Sequence, residues 1–203
     1  MNTLIKTIEV LGIIAFALTG FYAAKKRGMD LIGVYSLGMV TALGGGSLRD
    51  IILNRHPLFW VQHYEYAILL LALAVVSSLV SQSFFEQKNM VHIVLALDAL
   101  GLGSFSASGA SLADQQGCAL FISSILGVTT GVFGGVMRDI VCNEIPYVFQ
   151  RTELYATCSF IGAWVYLLVV RSSGSDIVAA VACIAVTFIL RMFALRYKIR
   201  LPV

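Results

Sequence analysis

Charge is what this sequence has least of. Asp, Glu, Lys and Arg make up 12% of its 203 residues, about half the share that a water-soluble domain carries. A soluble enzyme or binding domain is a poor fit to that balance. Cysteine offers no alternative framework, because Cys118, Cys142, Cys158 and Cys183 form neither a CxxC pair nor a Cys/His cluster. Zinc sites and a disulfide scaffold are therefore unsupported, and the four read as small packing residues. A Ser-His-Asp set, a Walker-type loop and an HExxH helix are all missing, so neither an enzyme nor a cofactor is expected. No basic stripe interleaved with aromatics is present, which excludes a nucleic-acid partner. The net charge of +3 reads instead as membrane topology.

What is present is apolar sequence, at 59% hydrophobic and a mean hydropathy of +0.88. With ~20 residues needed per span, the chain reads as one transmembrane domain over 1–203 with almost nothing outside the bilayer. The apolar runs place seven spans at roughly 4–24, 31–53, 64–84, 91–112, 117–142, 153–171 and 177–195. Lys6 before the first run has the look of a signal peptide. Glu9 inside that run, and Lys25-Lys26-Arg27 closing it without a cleavage site, count against that reading.

The chain repeats itself. Gly44-Gly45-Gly46-Ser47-Leu48-Arg49-Asp50 returns as Phe133-Gly134-Gly135-Val136-Met137-Arg138-Asp139, and Arg138 lies 89 residues after Arg49. The same offset carries Glu9 onto Asp98, Phe16 onto Phe105, Gly28 onto Gly117 and Thr41 onto Thr130. It also carries Asn54, Pro57 and Tyr66 onto Asn143, Pro146 and Tyr155. Membrane composition alone reproduces Leu and Ala matches, not Gly, Arg, Asp and Pro matches in register. Each unit holds three spans, about 4–84 and 91–171, so the second enters the membrane from the opposite side. The seventh span, about 177–195, stands outside the duplication. The fold expected is thus an all-α polytopic membrane protein: two inverted three-helix repeats plus a seventh helix. Counting basic residues on each face gives ten against four, which puts the N-terminus outside and the C-terminus in the cytoplasm.

The glycine clusters sit late in the second and fifth spans. Glycine costs a helix interior roughly 1 kcal/mol against alanine, so such runs favour a kink, with freed carbonyls facing a wet path. Close packing between helices is the other reading. Arg49, Asp50, Arg138 and Asp139 are costly at membrane depth unless paired or hydrated. Neighbours on a helix point apart, so the expected partners are Glu9 and Asp98 at the repeat interface, or residues across the pseudo-twofold. Snorkelling to the headgroups is the alternative. Thr41 and Thr130 either cap freed backbone or line the path. Phe16 and Phe105 either gate it or pack the core. His56, His63 and His92 lack metal spacing and read as interfacial. Pro57 and Pro146 mark turns.

A tandem pair of three-helix units, each ending in Gly-Gly-x-x-Arg-Asp, plus a seventh helix resembles the trimeric intracellular cation (TRIC) channels. The resemblance is to their prokaryotic branch, whose unit is also known as a glycine-transporter domain. It covers nearly the whole chain and rests on Gly44, Gly45, Gly46, Arg49, Asp50, Gly134, Gly135, Arg138 and Asp139. It implies a homotrimer in a prokaryotic inner membrane, with one pore per protomer kinked at the glycine clusters. Potassium or sodium would pass, and membrane lipid would be bound. Animal members carry a Lys-Glu-Val motif and basic lipid-binding residues where this chain reads Gly131-Val132-Phe133-Gly134-Gly135, so calcium and inositol-lipid regulation are not carried over. Phe133 stands where the first cluster has Gly44, which predicts unequal bending of the halves. Inverted repeats with broken helices are also the mark of secondary carriers, so transport of glycine or another small neutral amino acid stands as the second reading.

Overall fold

The computed structural model describes residues 3–85, 87–151 and 153–200; Glu86, in the expected loop between the third and fourth spans, lies outside them. The described residues form an all-α polytopic bundle. Its helices are α1 (Thr3–Lys26), α2 (Leu31–Ile52), α3 (Phe59–Gln62), α4 (Glu65–Leu79), α5 (Gln82–Phe85), α6 (Lys88–Gln115), α7 (Leu120–Val141), α8 (Ala156–Ser173) and α9 (Asp176–Tyr197). A 3-10 turn covers Tyr147–Phe149.

Local chemistry sets the boundaries. The α1–α2 and α6–α7 turns each need a left-handed residue, and Gly28 (φ 66°) and Gly117 (φ 78°) supply it at equivalent places. Asp30 caps α2 by accepting from the Gly33 N–H at 2.8 Å. After α2 and α7 the chain turns at Asn54 and Asn143, with φ of 51° and 56°. Asparagine tolerates that left-handed conformation better than most residues.

Six helices, α1, α2, α6, α7, α8 and α9, are long and apolar enough to cross a membrane. The third expected span, 64–84, is corrected. Its helix covers only Glu65–Leu79, 15 residues. Val80 turns extended there, and the Lys25 ammonium of α1 donates to the Ser78 and Val80 carbonyls at 3.1 and 3.4 Å. A basic group holding the last carbonyls stops the helix and ties it to α1.

Two hairpins, α1–α2 and α6–α7, cross face to face through α1 with α6 and α2 with α7. The larger core lies at that crossing, with Ile13, Phe16, Leu37, Leu102 and Phe105 fully buried. α9 seats on α6 and α8, where Gly103 meets the Ile184 backbone and Gly162 meets Thr187. Small residues allow such approach when no hydrophobic effect drives helices together.

Candidate functional site

Both motifs end a helix, Arg49-Asp50 in α2 and Arg138-Asp139 in α7. In each, the arginine Nε donates to the Oδ1 of its own neighbouring aspartate at 2.9 Å. This corrects the expectation that the adjacent pair cannot neutralise itself. The Cβ directions diverge, but the long arginine stem curls the guanidinium back onto the carboxylate. The other aspartate oxygen accepts a backbone N–H, from Phe59 at 2.8 Å for Asp50 and from Tyr147 at 2.9 Å for Asp139.

Each arginine makes two further contacts. Arg49 Nη1 lies 3.4 Å from Glu9 Oε1, and Arg138 Nη1 lies 3.3 Å from Asp98 Oδ1. Arg49 also donates to Ser108 Oγ at 2.8 Å, and Arg138 to Thr19 Oγ1 at 3.2 Å. The offset of 89 carries Thr19 onto Ser108, so each unit lends a hydroxyl to the other's arginine. Burial separates the two sites. Arg49 and Asp50 are each 1% exposed, too enclosed to snorkel, whereas the Arg138 side chain keeps 15%.

The helices run unbroken through both glycine clusters, so no turn is unwound there and no carbonyls are freed. The glycines act by proximity instead. A Cβ on Gly45 would be driven into the Thr130 carbonyl oxygen, and one on Gly134 into that of Thr41. Those contacts are related by the same offset and mark the point where α2 and α7 cross. Gly44 is different, with Met137 Cγ at 3.8 Å the nearest neighbour to an added Cβ. Gly135 would meet the Tyr155 hydroxyl at 3.5 Å, and Gly46 would meet the Phe59 ring. Thr41 and Thr130 are fully buried and donate to the Leu37 and Leu126 carbonyls, each at 2.6 Å. Phe16 and Phe105 stack in parallel, with centroids 5.3 Å apart and planes 8° off. Along α1 and α6 this stack lies between the two charge sites.

A cavity of about 470 Å³ reaches the second site. Asp98, Arg138, Asp139, Tyr155 and Arg191 line it together with Gly135, and an Arg27–Glu144 ion pair stands at its border. A cavity of about 20 Å³ lies beside Glu9 and Ser108 of the first site, walled on its far side by Tyr166, Asp176 and Ala180 rather than by Arg49 and Asp50. Gly44 and Phe133 line a third space of about 310 Å³, an apolar groove. Of the expected pathway residues, then, Gly135, Arg138 and Asp139 meet at one cavity, together with Asp98, expected as a repeat-interface acid. Thr41, Gly45, Thr130 and Gly134 are packed in the crossing, and Arg49 and Asp50 are sealed. His63 bonds Glu65 at 2.9 Å near the surface.

Arg191 was missed as a site residue. It is 1% exposed, donates to the Leu154 carbonyl at 2.8 Å, and lies over the Tyr147 and Tyr155 rings at 5.3 and 4.9 Å. A lone arginine inside the last apolar run was the available signal. Among the described residues, no group of three or more His, Cys, Asp or Glu is placed to hold a metal.

Comparison with known proteins follows the same outline. The glycine-transporter family model matches twice, over residues 6–82 and 95–171. The UPF0126 inner membrane protein YadS of Escherichia coli K12 is 34% identical over 98% of this chain and 95% of its own length. A UPF0126 membrane protein of Vibrio cholerae is 33% identical over 99% of this chain and 83% of its own. Among solved structures, one described as the basis for conductance through TRIC cation channels superposes with a TM-score of 0.85. It is 39% identical, covering 98% of this chain and 96% of the other. The TRIC orthologue from Rhodobacter sphaeroides superposes with a TM-score of 0.87 at 32% identity, covering 97% and 99%.

Proposed function

This chain belongs to the glycine-transporter (UPF0126) family, and from that membership we propose that it is a passive channel for potassium or sodium in a prokaryotic inner membrane. It acts as a homotrimer with one pore in each protomer. The observation that carries the reading is the 470 Å³ cavity lined by Asp98, Arg138, Asp139 and Arg191, which runs to the second motif and reaches α7 at Gly135. The solved relatives are described as TRIC cation channels, one of them as trimeric. In this reading the halves 4–84 and 91–171 are inverted repeats with 177–195 as the seventh span, and the N-terminus lies outside. The cavity is then the cytoplasmic vestibule. Asp98 and Asp139 attract the cation, while Arg138 sets the barrier it must pass. The Phe16–Phe105 stack and the Gly45–Gly134 crossing close the path beyond. A bend of α2 and α7 at the glycine clusters, with Thr41 and Thr130 turning toward the gap, would open it.

Purified protein in a planar bilayer with potassium chloride on both sides should give discrete unitary currents. Arg138→Gln should change the unitary conductance several-fold, and Phe16→Ala/Phe105→Ala should raise the open fraction. A silent bilayer would count against the channel. One observation favours the carrier reading: the second motif opens to a cavity of about 470 Å³, while Arg49 and Asp50 of the first are each 1% exposed. One side open and the other shut is how alternating-access carriers rest. Saturable glycine uptake into liposomes without unitary current would establish the carrier instead.

A further inference from the structure

The first charge site carries one negative charge too many. Glu9 and Asp50 are two carboxylates against the single guanidinium of Arg49. No other basic group pairs with either of them among the residues whose side chains the structure describes, which begin at Ile8. At the second site Asp98 and Asp139 pair with Arg138, and the cavity they line is also bordered by Lys26, Arg27 and Arg191, so positive charge is plentiful there. The first unit has no counterpart of α9. Glu9 is also under-bonded. It is 7% exposed, and its only hydrogen bonds among the described residues are the long ones to Oε1, from Ser108 at 3.3 Å and Arg49 at 3.4 Å. A carboxylate so buried, with one oxygen lacking a hydrogen-bond partner, calls for a neutralising species.

The 20 Å³ cavity that Glu9 lines has room for one water-sized occupant. Its polar walls are Ser104, Ser108, Ser111, Tyr166 and Asp176. The hydroxyl protons on these walls are engaged elsewhere. Ser104 donates to the Leu100 carbonyl at 2.9 Å, Ser108 to Glu9, and Tyr166 to Asp176 Oδ1 at 2.7 Å. Ser111 accepts from Gln115 Nε2 at 3.1 Å. With their protons committed, the Ser104, Ser108 and Tyr166 oxygens have only lone pairs to offer the cavity, one of those on Ser108 being already taken by Arg49 Nη1. Oxygen lone pairs beside a net negative charge suit a hard cation.

We propose that Glu9 and the hydroxyls of Ser104, Ser108, Ser111 and Tyr166 hold a single dehydrated monovalent cation, Na⁺ or K⁺, as a resident ion of the first repeat. The ion gives Glu9 the positive charge that Lys26, Arg27 and Arg191 bring to the cavity of the second site. It locks α1 to α6, α8 and α9 at the end of the bundle opposite the large cavity. The site stands apart from that cavity and is read by stability, so it holds for a channel and a carrier alike.

The test is thermal unfolding of the purified detergent-solubilised protein, followed by Trp60 and Trp164 fluorescence. Sodium chloride and potassium chloride are each titrated against N-methyl-D-glucamine chloride at constant ionic strength. A saturable rise in Tm with one or both alkali cations is expected. It should vanish in Glu9→Gln, which removes the charge, and persist in Asp98→Asn, the equivalent change in the other unit. Ser111→Ala, which keeps the charge balance and serves if Glu9→Gln does not fold, should raise the half-saturating concentration about tenfold. The proposal is overturned by equal Tm in all three salts, or by a cation response that survives Glu9→Gln or is unmoved in Ser111→Ala. A Tm that follows pH but not alkali cation also overturns it, by assigning the neutralising role to a proton.

Discussion

Gly45→Ala is expected to cost about 2 kcal/mol of stability, and Gly45→Ala/Gly134→Ala to leave little monodisperse protein in detergent. The added methyl at either position meets a backbone carbonyl of the facing helix, Thr130 or Thr41, and backbone cannot step aside as a side-chain tip can. Overpacking of a rigid site costs roughly 1–3 kcal/mol or more. The gain in helix propensity from Gly to Ala returns only about 1 kcal/mol. Gly44→Ala is the internal control, one residue away and with its nearest neighbour at 3.8 Å. It should be neutral or slightly stabilising. Size-exclusion profiles and unfolding midpoints of the three variants provide the measurement. Equal behaviour of Gly44→Ala and Gly45→Ala would mean that helix flexibility, not close approach, is what the cluster provides.

Arg49→Leu should be more damaging than Arg138→Leu, although the sequence presents the two as equivalents. Removing Arg49 strands Glu9 and Asp50 in a sealed site, and breaking a buried pair costs about 3–5 kcal/mol. Arg138 borders the large cavity, where water and Arg191 share the burden, so its loss should cost roughly half as much. Charge balance rather than lost contact is the cause. The triple change Glu9→Gln/Arg49→Met/Asp50→Asn should therefore recover most of what Arg49→Leu loses. Unfolding midpoints of the single and triple variants decide it. A triple variant no better than Arg49→Leu would show that the hydrogen-bond geometry, not the net charge, holds α1 to α2.

Much of this arrangement was readable beforehand because it depends on periodic and costly residues. Hydropathy alone placed seven spans, six of which are long helices in the structure, and the in-register Gly, Arg, Asp and Asn matches located the duplication. The Glu9–Arg49 and Asp98–Arg138 pairs followed from the expense of a lone charge in lipid. Three things were not readable. Hydropathy could not see that α4 stops at Leu79, because the stop is made by a lysine fifty residues away in sequence. A rule about neighbouring Cβ directions could not see that Arg49 folds back onto Asp50. Glycine propensity favours a bend, but the clusters lie against carbonyls of a facing helix, and only the tertiary crossing distinguishes Gly45 from Gly44. Arg191 escaped notice because it belongs to the one helix without a repeat partner.

The exchange of Thr19 and Ser108 has a corollary for either half taken alone. Each arginine is served by a hydroxyl encoded in the opposite half of the gene, so a lone three-helix fragment is born missing a donor. To complete either arginine's shell, a single half would need a second copy of itself set against it. Carried in one chain, the two halves hold that partnership permanently, and only the second of the two arginines keeps a border on a large cavity.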